Sequence, residues 1–415
     1  MSKRREWLLF FYAPLLLAMA GCKNEALPPY PPQYREYAYV TNGKSNDVTV
    51  VDLLGFKPVK NIPVGKSPTG VAANAQKNEI YVVNTDSGTL SVIDAERNAV
   101  VATISLQKRP YFIDVSADGK RAYVPNSGSA SLSVIDLAER RVVSTIAVGD
   151  QPGEAVLSHD GLLVVTSNRG DGTVSVIDTV ALNVRSQVKV CDHPEDVAIL
   201  ADASKAFVTC SSSGQVAVVA LSQALTGPAP PFQAPKALPA AKRKQPSAAA
   251  AAEQGDHLLA LLDVGKAPVH LALKPDGGEI FVCNFESDSV SEISTGTNEV
   301  SSAHQTGANP VRALPSPDNS TLYVSNFGSD SVAVYDIDSG KLVTTIHVGS
   351  HPDALVFTPR EDALLVANSQ SGDVAVIFLL VRKGSPVFPL FSLLPVGREP
   401  RQIAVKAFML RKPPQ

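Results

Sequence analysis

The sequence predicts an all-β fold: an eight-bladed β-propeller of four-stranded antiparallel blades, closed by its N- and C-terminal strands. Three observations carry this. Tyr39-Val40-Thr41-Asn42 returns in recognisable form seven more times, its fourth place falling at 42, 84, 126, 168, 210, 284, 326 and 368. Every step is 42 residues except one of 74, which is 42 plus an insertion of 32. Each period also holds four short strand signatures. A fixed repeat of this length with four strands describes one propeller blade.

The chain has 415 residues, 44% hydrophobic and 19% charged, enough for a large core. Its first segment, residues 1–21, has the layout of an export signal. Lys3, Arg4 and Arg5 form a basic head, and Trp7 to Ala20 is an apolar run too short to span a bilayer comfortably. The run ends Leu17-Ala18-Met19-Ala20-Gly21-Cys22, which resembles the lipobox of bacterial lipoproteins. That resemblance implies cleavage before Cys22 and lipidation there, hence a membrane partner through the anchor. Ordinary cleavage with an incidental Cys22 is the competing reading. Lys23 follows rather than Asp, so the inner-membrane retention signal known for some lipoproteins is missing. The expected location is therefore the bacterial envelope, facing the periplasm or the surface, with the outer membrane favoured. Residues 22–36, rich in Pro and Tyr, are expected to be a tether.

The propeller is expected over residues 37–408, with 409–415 as a tail. In residues 110–148, strands are expected at Phe112 to Ser116, Ala122 to Asn126, Ser131 to Asp136 and Val142 to Val148. Alternating Val, Ile, Ser and Thr between Gly, Asp and Asn turns exclude helical repeats of similar length. A second landmark ends each unit: Gly65-x-x-Pro68, Gly149-x-x-Pro152, Gly265-x-x-Pro268, Gly307-x-x-Pro310, Gly349-x-x-Pro352 and Gly397-x-x-Pro400. Leu106 and Cys191 replace that Gly before Pro110 and Pro194. The Pro fixes φ where the next inner strand begins.

These units resemble the bacterial YVTN-repeat β-propellers, a family of exported or surface proteins. The motif belongs to the scaffold and implies no activity. Family members are often seven-bladed, so seven blades is the alternative count. The chain itself begins with a second strand and ends with an orphan inner strand, Gln402 to Phe408. Pairing the two closes one blade, removes the free edges and gives eight. The insertion, 223–256, lies within the fifth unit. It is rich in Pro and Ala, carries Lys242-Arg243-Lys244, and is expected to be disordered. A further loop is expected at Lys383 to Pro389.

Antiparallel order puts the Gly-x-x-Pro crossings and the turns after the YVTN-type strands on one face, the top. The recurrent Asn there is a turn residue, as are Asp52, Asp94, Asp136, Asp178 and Asp336 on the opposite face. Departures from the repeat are more informative. Two residues past each crossing Pro the chain reads Gly70, Phe112, Glu154, Asp196, His270, Arg312, Ala354 and Gln402. If this position lines the channel mouth, Glu154, Asp196, His270 and Arg312 form a polar ring able to grip a metal or polar ligand. A solvated, mutually neutralising ring is the competing reading. The residue after the top Asn is Phe285 and Phe327 on adjacent units. With Arg312 and His351 they make a candidate patch for a protein or peptide partner; alternatively each Phe folds over its own turn.

Cys191 and Cys210 both fall at the top, and a disulfide between them stays open, because spacing does not fix their distance. Cys283 reads as a small core residue. No Cys-x-x-Cys-His, nucleophile elbow, phosphate loop or calcium-loop signature occurs. The formal charge of −3 leaves no basic stripe for nucleic acid. The only Trp is Trp7, which removes Trp-based sugar platforms from the remainder.

The expected function is a non-catalytic binding or assembly platform at the cell envelope, with no catalytic residues and no cofactor. The alternatives are a periplasmic redox or metal/cofactor-binding propeller with its ligand in the channel, and a structural cell-surface protein.

Overall fold

The computed structural model describes residues 30–222, 255–382 and 384–410. The expected export signal, Cys22 and nearly all of the insertion lie outside these. Eight four-stranded antiparallel sheets form the ring, so the count is eight and not the alternative seven. Blade 1 holds Tyr34–Asn42, Asp47–Asp52, Lys57–Pro63 and, as its inner strand, Pro400–Met409. Tyr39 pairs with Ala404 and Val40 with Ile403, which seals the ring. Blades 2 to 8 occupy residues 68–105, 110–147, 152–189, 194–263, 268–305, 310–347 and 352–395 in turn. Tyr34–Asn42 begins three residues before the expected start at 37. At the expected loop 383–389 a small hairpin forms, which starts earlier: Leu380–Arg382 pairs with Ser385–Val387.

Period-two alternation explains the packing. Tyr39 turns toward blade 2, among Val48, Val50, Ile80, Val82 and Ile93. Ala38 and Val40 turn the other way, toward Ala363, Leu365 and Val374 of blade 8. Eight such clusters fill the eight blade interfaces. Tyr39, Tyr81, Tyr123 and Phe207 are fully buried there, each contributing large apolar area.

Blade 3 departs from the pattern. Its inner strand shrinks to Asp114–Val115, with Pro110 making only an isolated bridge to Asn126. Pro125 stands in its second strand where other units carry a residue with an amide N–H. The missing donor cannot support the neighbouring ladder.

The repeated Asn is a buried strut. Asn84 Nδ2 donates to Thr89 Oγ1 (3.0 Å) and Ser91 Oγ (2.9 Å), and its Oδ1 accepts the Gly65 N–H (3.1 Å). A Cβ on Gly65 would stand 2.6 Å from that of Asn84, so the crossing needs glycine for close approach. In blade 5 both members of this pair change together. Cys191 and Cys210 take the Gly and Asn places and form a disulfide with Cα atoms 5.8 Å apart. Cys283 is buried and free, as a small core residue should be.

Candidate functional site at the mouth of the channel

The site is built by two features of each crossing. The residue before every crossing Pro is left-handed: Ser67, Arg109, Gln151, His193, Ala267, Asn309, His351 and Glu399 have φ between 49° and 58°. Its carbonyl accepts the N–H of the residue after the top Asn, as in Phe285 N to Ala267 O (2.9 Å) and Phe327 N to Asn309 O (2.9 Å). Three sequence positions per blade therefore converge on the mouth: the two after Pro and the one after Asn.

They enclose a cavity of about 340 Å³ at the top of the channel. Glu154, Asp196 and Arg312 line it, with Phe112 and Gln402 from the same sequence position. His270 stands behind them, against Asp196 and Arg312, and is not part of the lining. The ring inferred from the sequence is thus one contiguous cluster, with His270 set back. Tyr111, Glu195, Val269, Val311 and Asp353, each one residue past a Pro, also line it, as do Arg169 and Phe285 after the Asn. Sequence reasoning followed the second residue past each Pro and missed the first; it also passed over Arg169, which shares the position of Phe285 and Phe327.

Asp196 is the most heavily held group. Its oxygens accept Val197 N (2.8 Å), Leu271 N (2.7 Å) and a hydrogen bond from His270 Nδ1 (2.6 Å). Burial works against its charge, but the Glu154 hydrogen bond and the nearby His270 and Arg312 outweigh it and hold the carboxyl well below the usual range. Glu154 moves the other way: burial, then the charge of Asp196 and the hydrogen bond to it, raise it well above the ordinary glutamate value. The pair behaves as one carboxylate and one carboxylic acid. Asp353 is likewise raised by burial, against the pull of Arg312 and Arg401.

His270 spends both ring nitrogens on protein atoms, Nε2 facing Ala313 O at 3.3 Å. Arg312 places Nη1 3.2 Å from His270 Nδ1. Burial disfavours its charge, while Asp196, Asp353 and Glu154 preserve it. On the opposite wall Arg169 Nε lies 3.7 Å from Glu195 Oε2, and its guanidinium stands 5.7 Å from the Tyr111 ring centroid. Gly153 leaves the room: a Cβ there would sit 2.8 Å from Arg169 Nε. Among the described residues no group of three or more His, Cys, Asp and Glu is placed to hold a metal ion.

The aromatic patch also assembles. The rings of Phe285 and Phe327 are 6.5 Å apart, and Phe327 stacks on His351 at 4.2 Å and 25°. The three form a track leading from the cavity wall across blades 6 and 7 to blade 8.

The architecture is that of a β-propeller with a polar funnel at one end. Two propeller family models match parts of the chain. The Lactonase, 7-bladed beta-propeller family matches residues 303–385, and the YNCE-like beta-propeller family matches residues 71–161. No curated protein matches the sequence. Among solved structures, the dihydro-heme d1 dehydrogenase NirN in complex with DHE is 14% identical, with 88% of this chain and 74% of that chain covered and a TM-score of 0.68. Apo AztD from Citrobacter koseri is 12% identical, covering 90% and 98%, with a TM-score of 0.62. Kuenenia stuttgartiensis hydrazine synthase is 20% identical, covering 76% and 96%, with a TM-score of 0.55. At these identities the likeness is one of fold.

Proposed function

We propose that this protein is an exported, lipid-anchored binding platform whose top face receives a protein or peptide partner. The observation that carries the reading is the continuity of the Phe285, Phe327 and His351 track with the charged funnel around Arg312. Aromatic and arginine side chains grouped around a pocket are the usual anchors of an interface. A channel cofactor held by an imidazole draws less support, since Asp196 and the Ala313 carbonyl occupy both nitrogens of His270.

Anchoring through Cys22 fits this use of the top face. The chain climbs from Tyr34 to Asn42, so Tyr34 lies at the bottom. There Arg360 Nη1 donates to the Tyr30 hydroxyl (2.7 Å) and its guanidinium stands 5.3 Å from the Tyr30 ring centroid. A tether leaving that end turns the funnel away from the bilayer.

Affinity capture from solubilised envelope membranes tests the reading. The wild-type chain should retain a partner that the Phe285→Ala/Phe327→Ala double variant loses. A partner recovered equally by both forms, or by neither, overturns it.

A further inference from the structure

Arg312 lacks a partner of its own. A guanidinium offers five N–H donors, and a desolvated one is stable only when those donors and its charge are met. Its one hydrogen-bond-range neighbour is His270 Nδ1 at 3.2 Å, whose proton already points to Asp196 Oδ2 at 2.6 Å. No ion pair among the described residues engages it. The acids nearby sustain its charge but do not fill its donors. Asp196 is spent on two backbone amides and His270. Glu154 and Asp353 are both shifted by burial toward their neutral forms. Glu195 lies beside Arg169. The funnel therefore presents to an open cavity a guanidinium whose charge the nearby acids sustain but whose N–H fork none of them fills.

Apolar side chains stand beside the polar ones around that cation. Val269, Val311, Phe112 and Phe285 line the same cavity, and Phe327 with His351 continues the surface outward. A guanidinium fork takes a carboxylate through two parallel hydrogen bonds. We propose that the funnel binds a single carboxylate carried on an apolar body, inserted end-on with its charge on Arg312 and its body along Val269, Val311 and Phe285. This deepens the top-face binding reading and rests on it. The carboxylate belongs either to a free aryl or alkyl acid or to the C-terminus of a polypeptide with apolar last residues. A phosphate dianion is disfavoured: its second negative charge would face a wall already rich in carboxyl groups.

Calorimetric titration of the full chain tests this with defined probes: 4-phenylbutyrate, 4-phenylbutanamide, phenyl phosphate, and acetyl-Gly-Gly-Leu-Phe as free acid and as amide. Each acid should bind at least about tenfold more tightly than its amide. Arg312→Gln should erase that ratio, and Arg312→Lys, which keeps the charge but loses the fork, should retain an intermediate one. Far-UV circular dichroism of both variants establishes that they fold; the Lys variant carries the test if the Gln variant does not. A peptide acid much tighter than phenylbutyrate assigns the carboxylate to a chain terminus, and the reverse assigns it to a small acid. Equal binding of acid and amide, an undiminished ratio in either folded variant, tighter binding of phenyl phosphate, or no saturable binding of any acid overturns the proposal. If it falls while the Phe285 and Phe327 variants still lose their membrane partner, only the carboxylate is wrong. If the acid ratio holds while partner capture ignores those rings, the platform is wrong and the carboxylate site stands.

Discussion

Asp196 on blade 5 meets His270 on blade 6 with Oδ2 2.6 Å from Nδ1, and the same oxygen accepts the Leu271 N–H. One carboxylate thus ties two inner strands together at the channel mouth. Asp196→Ala strips the acceptor from two buried amides and an imidazole at once. The expected loss is about 3–5 kcal/mol. His270→Ala leaves Asp196 with both amide donors and should cost only about 1–3 kcal/mol. Denaturant titration of the two variants checks the order; a costlier His270 change would mean that Asp196 does not bridge the blades.

Glu154 and Asp196 titrate in opposite senses, which fixes a pH profile. Glu154 binds its proton more tightly folded than unfolded. Its contribution is full below the ordinary glutamate range and is lost as pH rises through the folded-state value. Asp196 is held low, so its contribution is present above the ordinary aspartate range and disappears as pH falls toward its folded-state value. Melting temperatures from about pH 3 to about pH 9 should fall at both ends. Glu154→Gln should flatten the high-pH limb and leave the acid limb. A variant with an unchanged high-pH limb would remove Glu154 as its cause.

The disulfide replaces a scaffold contact, and this makes it exchangeable. Reduction opens a link spanning 19 residues of sequence separation. A loop of this size should cost about 3 kcal/mol when opened. Cys191→Gly with Cys210→Asn restores the close approach and the Gly N–H to Asn Oδ1 bond of Gly65 and Asn84, but not the amide's two hydroxyl acceptors, since Gln215 and Ala217 stand where Thr89 and Ser91 do. That double variant should melt above the reduced wild type and show no dependence on dithiothreitol. A Cys191→Ser/Cys210→Ser chain, which restores neither, should match the reduced protein. Equal melting of both double variants would show that the Gly–Asn contact contributes nothing at this place.

The ring was legible because the same strand recurs at a fixed period and because an unpaired first and last strand demand each other. The polar ring was legible because departures from a repeat stand out at one position. The rest of the funnel was not. Periodicity says which residues are equivalent, but not which positions within a unit approach one another. That depends on the left-handed residue before each Pro, an unfavourable conformation for Arg109, His193 or Ala267 that the side chains do not announce. It folds the crossing back so that Arg169, Glu195 and Asp353 join a mouth that sequence had assigned to one residue per blade. The short inner strand of blade 3 did have a signal, Pro125 inside the second strand, whose consequence needs only the missing N–H.

Closure ties the funnel to the two ends of the propeller. Gln402 lines the cavity, and its Oε1 accepts the Val71 N–H of blade 2 at 3.2 Å. Thr41 Oγ1, one strand outward, reaches Thr69 O at 3.1 Å. Both contacts join blade 1 to blade 2, and the one through Gln402 exists only when Pro400–Met409 is in place. Deleting residues 400–415 should expose the paired edge of Tyr34–Asn42 and uncover Tyr39, whose cluster includes Ala404 and Phe408. An open edge beside an uncovered apolar face favours association between chains. The truncated protein should elute as larger species by size-exclusion chromatography and bind a hydrophobic dye, whereas Gln402→Ala should remain monodisperse and lose about 1 kcal/mol. A truncated chain that stays monodisperse, with an unchanged melting temperature, would mean that the ring does not depend on its closing strand and that the funnel geometry is set by the other seven blades alone.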